Sequence, residues 1–235
     1  MNAILHDMAL TEIVEEFQHA LQPLADAGRA VAMRAYLRDQ FHFLGINAPG
    51  RRQASMPIIR HLKTLNAAQL IAVAEQLWCL DAREYQYVAI DLLAQHDRQL
   101  GNEHVPALLA LVQRKSWWDS VDGLAGVIGA VLQARLSAKR EGQRLMDAAL
   151  VHANFWVRRI ALLHQLGWRD ATDAERLLRY ALTLAHEKEF FIRKAIGWAL
   201  RDYARQEPER IRQFLLAHRA QLSGLSFREA GKHIF

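Results

Sequence analysis

The segment from Ser116 to Asp122 concentrates residues that can take part in chemistry. Trp118 and Asp122 are four residues apart, so on a helix the indole ring and the carboxylate share one face. An aromatic face attracts positive charge by about 0.5–2 kcal/mol, and a carboxylate attracts it more strongly. The pair favours a site for a cationic group; the alternative is a core Trp118 beside a solvated or salt-bridged Asp122. Ser116 and Asp119 have capping-box spacing, which predicts that Asp119 serves the helix N-terminus.

Basic residues follow aromatic ones in two later segments, residues 155–159 (FWVRR) and 190–194 (FFIRK), at a spacing of 35 residues. Trp198 follows on the second of these segments, so a second indole is expected beside the same bases. Equivalent helices of a helical array line one face. The repeat therefore predicts a basic groove, which favours a polyanionic partner. Its expected members are Arg158, Arg159, Arg193, Lys194, Arg201 and Arg205.

Apolar residues recur with helical period along nearly the whole chain, and glycine and proline fall mostly between these stretches. Asn66 is expected to cap one helix, and no stretch alternates as a strand would. The sequence predicts an all-α protein in which stacked helix pairs form one continuous domain over residues 1–235. The expected helices cover about 8–25, 29–44, 58–65, 67–80, 83–96, 104–114, 117–136, 141–152, 154–166, 172–186, 188–205 and 208–221.

The amino-acid composition of the chain excludes several classes of protein. The 30 Lys and Arg exceed the 25 Asp and Glu, and the excess lies in residues 116–235, which hold 19 basic and 13 acidic side chains. The single cysteine, Cys79, excludes an internal disulfide and is expected to be buried. The N-terminus lacks a signal-peptide pattern and no apolar run has the length of a membrane span, so a soluble, cytoplasmic protein is expected.

The sequence motifs of several enzyme classes are absent from this chain. The chain has no phosphate-binding loop, no dinucleotide fingerprint, no His-Glu-x-x-His and no Gly-x-Ser-x-Gly. None of the 11 histidines pairs with another histidine or an acid at a clear ligand spacing on one helix. We therefore expect neither a metal ion nor an organic cofactor.

Several motifs, in the same order along the chain, resemble one family. The segment Trp-Trp-Asp-x-Val-Asp at 117–122, the two aromatic and basic segments, and the tail at 222–230 are similar to the AlkD family of bacterial DNA alkylation-repair glycosylases. Residues 33–46, followed by Pro49 and Arg51-Arg52, resemble the N-terminal signature of that family. The resemblance spans about residues 8–232.

The resemblance implies a curved superhelical stack of HEAT-like repeats with a basic cleft for duplex DNA. It also implies an enzyme without cofactor that hydrolyses the N-glycosidic bond of cationic purines alkylated at N3 or N7, with the base left stacked in the duplex. Independently of the resemblance, we expect a monomer. Asp122 corresponds to the family's catalytic aspartate, and Trp118 and Trp198 to its groove tryptophans. Arg159 and Tyr36 match further residues that approach the DNA. Additional DNA contacts are expected from Arg52, Arg158, Arg193, Lys194 and Arg201.

Two alternatives stay open from the sequence. One is a catalytically silent DNA-binding repeat protein for branched or bulky-adduct DNA, against which the retained Asp122 and Arg159 argue. The other is a protein–protein scaffold, which does not need a basic aromatic groove. The choice between 3-methyladenine and 7-methylguanine as preferred lesion is also open.

Overall fold

The computed structural model describes residues 2–134 and 139–235, and the side chains of 10–134 and 141–235. Within these ranges the chain forms α-helices, short 3₁₀ turns and no strand; His42 and Ala82 form an isolated β-bridge. The all-α prediction is confirmed. The helices are α1 (Asn2–Leu21), α2 (Ala27–Tyr36), α3 (Ala48–His61), α4 (Ala67–Cys79), α5 (Arg83–Gln95), α6 (Val105–Val112), α7 (Trp118–Ala134), α8 (Lys139–Leu150), α9 (Phe155–Leu163), α10 (Ala174–Thr183), α11 (Phe190–Tyr203), α12 (Pro208–Ala217) and α13 (Gly224–Gly231).

The contacts divide the chain into two compact units, Met1–Leu100 and Gly101–Phe235. The division falls between the 3₁₀ turn that follows α5 and the one that precedes α6. The prediction of one continuous domain over residues 1–235 stays a prediction. Among the helices that the structure describes, none combines the length and the hydropathy needed to cross a bilayer.

In the first unit, α1 packs against α3 and α4, and α4 packs against α5. Phe17 and Leu21 of α1, Leu70 and Leu77 of α4, and Leu92 of α5 are fully buried. Each such side chain stabilises the fold by about 1.5–3 kcal/mol relative to its exposed state. The apolar spacing of α1 and α4 in the sequence therefore marks the faces that form this core.

Two helix ends in this unit test the local predictions. Asn66 caps α4, because its side chain accepts the N–H of Gln69 while the Gln69 side chain accepts the N–H of Asn66. The second helix was expected to continue to residue 44, but α2 ends at Tyr36. Arg38 and Asp39 both have a φ of 56°, in the left-handed region, so the chain cannot continue as a right-handed helix.

The single cysteine is not buried as predicted. Cys79 is exposed at the last position of α4.

A buried carboxylate fixes the loop between α2 and α3. Glu84, in the first turn of α5, is fully buried and accepts hydrogen bonds from the backbone N–H groups of Leu44, Gly45 and Ile46, at 3.0, 2.9 and 3.1 Å. Gly45 has a φ of +87°, and a Cβ at this position would lie 2.0 Å from the Asp26 carbonyl oxygen. The loop therefore depends on a glycine for its backbone and on an acid from α5 for its hydrogen bonds.

We expect Glu84→Gln to lower the free energy of unfolding by about 2 kcal/mol, because an amide presents one acceptor oxygen where the carboxylate presents two and carries no charge. Urea denaturation measures the change. Glu12→Gln, at an exposed position of α1, is the matched control and is expected to leave stability nearly unchanged. Equal stabilities for the two variants would contradict this account of the loop.

In the second unit, α9 packs against both α7 and α11, and α11 packs against α13. The fully buried Leu124 and Ile128 of α7, Ile160 of α9 and Ile196 of α11 form the centre of this packing. The helices α9 and α11 begin at equivalent residues of the two aromatic and basic segments, which confirms that the repeat of 35 residues is structural.

Candidate active site

The carboxylate of Asp122 is held by a bidentate ion pair. Arg159 Nε lies 2.7 Å from Asp122 Oδ1, and Arg159 Nη2 lies 2.8 Å from Asp122 Oδ2. The Arg159 side chain is 1% exposed, whereas the Asp122 side chain is 22% exposed. A planar guanidinium that meets both oxygens fixes the plane of the carboxylate as well as its position. Asp122 is thus a salt-bridged acid with one open side.

The structure fixes Arg159 from its other side as well. Its Nη1 donates a hydrogen bond to the backbone carbonyl of Phe191, at the start of α11. Its guanidinium carbon also lies 5.5 Å from the ring centroid of Trp198 and 6.0 Å from that of Phe191. Since α7, α9 and α11 each contribute a partner, the packing of these three helices determines where the Asp122 carboxylate lies.

The surroundings of Asp122 change its acidity. Burial raises the pKa of the Asp122 carboxyl above its ordinary value, and the hydrogen bonds and positive charge of Arg159 act in the opposite direction. The negative charge of Asp119, three residues earlier, adds to the rise in pKa. A carboxylate whose pKa is raised by burial is poorly solvated as an anion, so a cation that approaches its open side gains more than it would in water.

The start of α7 shows where Ser116 and Asp119 lie. The hydroxyl of Ser116 donates to the backbone carbonyl of Val112 in α6, at 2.6 Å. The preceding residue, Lys115, has a φ of 48°, which reverses the chain before α7 begins at Trp118. Asp119 lies in the first turn of α7, as predicted, and the capping roles of Ser116 and Asp119 stay predictions.

Trp118 and its neighbour Trp117 have different surroundings. Trp118 is half-buried at the start of α7, one turn before Asp122, as the spacing predicted. Trp117 packs against Trp156 and Phe191, with ring centroids 6.0 and 5.3 Å apart. The rings of Trp156 and Phe191 are themselves 4.8 Å apart. This aromatic cluster joins the N-terminal ends of α7, α9 and α11 beside the Asp122–Arg159 pair.

Trp198, Lys194 and Arg201 of α11 lie around one acid of α13, Glu229, which no sequence motif marks as a site residue. Glu229 of α13 pairs through Oε1 with Lys194 Nζ at 2.8 Å and through Oε2 with Arg201 Nη1 at 3.0 Å. These two cations hold the pKa of the Glu229 carboxyl below its ordinary value, and Trp198 lowers it further. Lys194 Nζ lies 5.7 Å from the Trp198 ring centroid, a distance similar to that of Arg159.

Arg158 and Arg193, which occupy equivalent repeat positions, meet at Glu187. Arg158 forms an ion pair with the Glu187 carboxylate at 2.6 Å and donates to the backbone carbonyls of His152 and Ala153. Arg193 Nε donates to the backbone carbonyl of Glu187 at 2.8 Å. These two arginines therefore order the segment before α11. Arg205 is exposed, with Asp202 at 4.0 Å.

The two remaining predicted residues lie in the first unit. Tyr36 is the last residue of α2 and is 73% exposed. Arg52 in α3 is exposed, and its Nε lies 3.6 Å from Asp91 Oδ1. Its neighbour Arg51 is buried and pairs with Asp91 at 3.0 Å. The predicted DNA contacts of Tyr36 and Arg52 stay predictions.

The site offers an anion, aromatic faces and open space rather than metal ligands. In the part of the chain that the structure describes, no three His, Cys, Asp or Glu side chains gather in a way that could hold a metal ion. Gly126, one turn after Asp122 on α7, is exposed, and a Cβ there would meet nothing within 4 Å. A large ligand can therefore approach α7 closely beside the Asp122 carboxylate.

Comparisons with known proteins agree on one family. A family model described as DNA alkylation repair enzyme matches residues 17–234. A solved structure described as a predicted DNA alkylation repair enzyme from Enterococcus faecalis is 34% identical, with a TM-score of 0.84, and the match covers 89% of this chain and 96% of that one. A search of curated proteins finds no match.

Two more distant structures from Streptococcus mutans share the fold. The AlkD2 protein is 16% identical with a TM-score of 0.64, and the match covers 87% of this chain and 99% of that one. The protein smu.31 is also 16% identical with a TM-score of 0.62, over 78% of this chain and 92% of that one.

Proposed function

Because the chain belongs to the family of DNA alkylation repair enzymes, we propose that it is a DNA glycosylase that hydrolyses the N-glycosidic bond of purines alkylated at N3 or N7 in duplex DNA. The observation that carries the proposal is the Asp122 carboxylate, oriented by the buried Arg159 and open on one side. On this proposal the protein acts as a monomer, without cofactor, on the chromosome in the bacterial cytoplasm.

The substrate itself supplies the leaving group. A purine alkylated at N7 or N3 carries a positive charge, and when the bond from C1′ to the base breaks, the electron pair neutralises that charge. The base leaves as a neutral purine and needs no general acid. Positive charge develops on the deoxyribose instead, as in other glycosidic bond cleavages. Water then bonds to C1′, and its proton passes to solvent or to the carboxylate.

Asp122 is suited to stabilise that positive charge. A carboxylate oxygen has two acceptor positions, and Arg159 occupies one on each oxygen of Asp122, so one on each oxygen stays open to the sugar or the attacking water. Arg159 prevents the carboxylate from rotating, so little reorganisation is needed as the transition state forms. The raised pKa of Asp122 also makes the carboxylate a better proton acceptor for the water.

Trp118 and Trp198 supply the aromatic faces. Trp198 lies within 6 Å of two protein cations, Arg159 and Lys194, and these contacts fix its ring next to the Asp122–Arg159 pair. We propose that the two indoles contact the sugar and backbone of the lesion nucleotide while the base stays stacked. Recognition of the backbone rather than of the base edge imposes no size limit on the adduct.

The proposed mechanism is tested by comparing the release of a cationic lesion with the release of a neutral one. We expect release of 7-methylguanine from a duplex with a single lesion under single-turnover conditions. Release of ethenoadenine, a neutral lesion, is expected to be at least about 100-fold slower, because its departure needs protonation that the site does not supply. Free base is quantified by chromatography. Equal rates for the two lesions would contradict the proposed mechanism.

If no alkylated base is released, a different function follows for the protein. If the protein binds the duplex without releasing base, it is a silent DNA-binding protein, and branched or bulky-adduct DNA becomes the substrate to test. The logarithm of its DNA affinity then falls by roughly 0.9 per tenfold rise in salt for each phosphate neutralised. A protein scaffold has no such dependence on DNA or salt.

A further inference from the structure

One acid of α13 bridges two of the predicted DNA-binding cations on α11, Lys194 and Arg201. Glu229 presents one oxygen to each cation, at 2.8 and 3.0 Å. A backbone phosphate also presents two anionic oxygens that can bridge two cations. In the structure, therefore, both of these α11 cations are bridged by one carboxylate of the protein itself.

The fold holds this acid in place by close packing. Gly197 of α11 faces α13, and a Cβ at position 197 would lie 2.4 Å from the Cβ of Glu229. One turn away, the Ser226 hydroxyl donates to the backbone carbonyl of Arg193 at 2.9 Å. The absence of a side chain at Gly197 allows α13 to approach, so that Glu229 reaches the cations of α11.

The cluster is also accessible. The side chains of Lys194, Arg201 and Glu229 are 26%, 22% and 21% exposed. An ion pair that retains this much contact with water can exchange one anion for another at a modest energetic cost. Lys194 is the repeat equivalent of Arg159, and both flank the Trp198 ring, so the cluster adjoins the site of the proposed reaction.

We propose that Glu229 is a placeholder for a DNA phosphate: it holds Lys194 and Arg201 in position in the free protein and yields them to the phosphate when the duplex binds. This inference rests on the proposed function only in taking DNA as the ligand. The exchange lowers the affinity for any duplex, because binding must first break two ion pairs. In return, the two cations and Trp198 stay ordered when no DNA is present.

The test is the affinity of Glu229→Gln for an undamaged duplex at low salt, measured by fluorescence anisotropy. Loss of the competing carboxylate is expected to raise the affinity by about tenfold. Glu209→Gln is the matched control, because it removes the same charge from an exposed acid of α12 that pairs with Arg212. An increase for Glu229→Gln no larger than that of the control would overturn the proposal.

A mutant cycle tests whether the gain in DNA affinity of Glu229→Gln depends on Lys194 and Arg201. In a background of Lys194→Gln and Arg201→Gln, the further change Glu229→Gln is expected to raise the affinity no more than Glu209→Gln does, because no cation is left for it to release. A full tenfold increase in that background would overturn the proposal, since the gain would not come from these cations. Melting temperatures of all variants verify folding. Because this assay uses undamaged DNA, its result is independent of whether the wild type releases 7-methylguanine.

Discussion

Asp122→Asn is expected to slow the release of 7-methylguanine by at least about 100-fold, a loss of about 2.7 kcal/mol of transition-state stabilisation. Asparagine keeps the shape of the side chain but removes the negative charge that faces the developing positive charge on the sugar. Single-turnover release from a duplex with one lesion measures the effect, because product dissociation then does not limit the rate.

The same change affects the fold, so two controls accompany it. Arg159 is 1% exposed, and removal of the charge that pairs with it is expected to lower the melting temperature. Release is therefore assayed well below the melting transition of the variant. Asp119→Asn, on the same turn of α7 but not in the ion pair with Arg159, is the matched acid and is expected to retain most of the activity. Full activity of Asp122→Asn would show that the carboxylate is not the catalytic group.

The stability of the protein is expected to fall by up to about 3 kcal/mol as the pH decreases from 6.5 to 4, through one buried histidine. Burial lowers the pKa of His164 to about 4, against the effect of its hydrogen bond to the Ala161 carbonyl. The unfolded chain, with a histidine pKa near 6.5, binds more protons than the folded chain between these two values. Protonation therefore favours unfolding over this range, and the loss is complete only below pH 4, where the folded state is protonated as well.

The comparison with His164→Phe isolates this contribution. Phenylalanine preserves an aromatic ring next to Trp168 and Tyr180, whose ring centroids lie 5.5 and 6.4 Å from that of His164, but it cannot titrate. Urea denaturation at several pH values gives the slope for each protein, and carboxyl groups contribute equally to both. A wild-type slope between pH 4 and 6.5 as shallow as that of the variant would refute the assignment to His164.

The helices were largely predictable because their signals are local. Apolar periodicity gave α5, α9 and α11 to within a few residues, and Asn66 identified the start of α4. The early end of α2 was not predictable in this way. It depends on left-handed backbone at Arg38 and Asp39, two residue types that do not require that conformation. Exposure of Cys79 likewise depends on where α4 ends relative to its neighbours.

In the site, too, the residues related by local spacing were predictable, and those brought together by helix packing were not. The four-residue spacing placed Trp118 and Asp122 on one turn of α7, and the repeat placed Arg159 and Lys194 at equivalent positions. The acids that pair with the bases were missed, because Glu187 and Glu229 lie 28 to 35 residues away from their partners in sequence. Such pairs follow from helix packing, and no periodic pattern marks them. The tail motif contained Glu229, but a motif does not reveal what a side chain contacts.

The nearly complete burial of Arg159 constrains how the sequence can drift. A lineage that lost Asp122 first would retain a guanidinium without its counter-charge in the interior, and the fold would be less stable until Arg159 was also replaced. Loss of Arg159 first would leave Asp122 with a carboxylate that is no longer oriented. Substitutions at the two positions are therefore coupled. Homologues that do not catalyse the reaction are expected to differ from this chain at both residues.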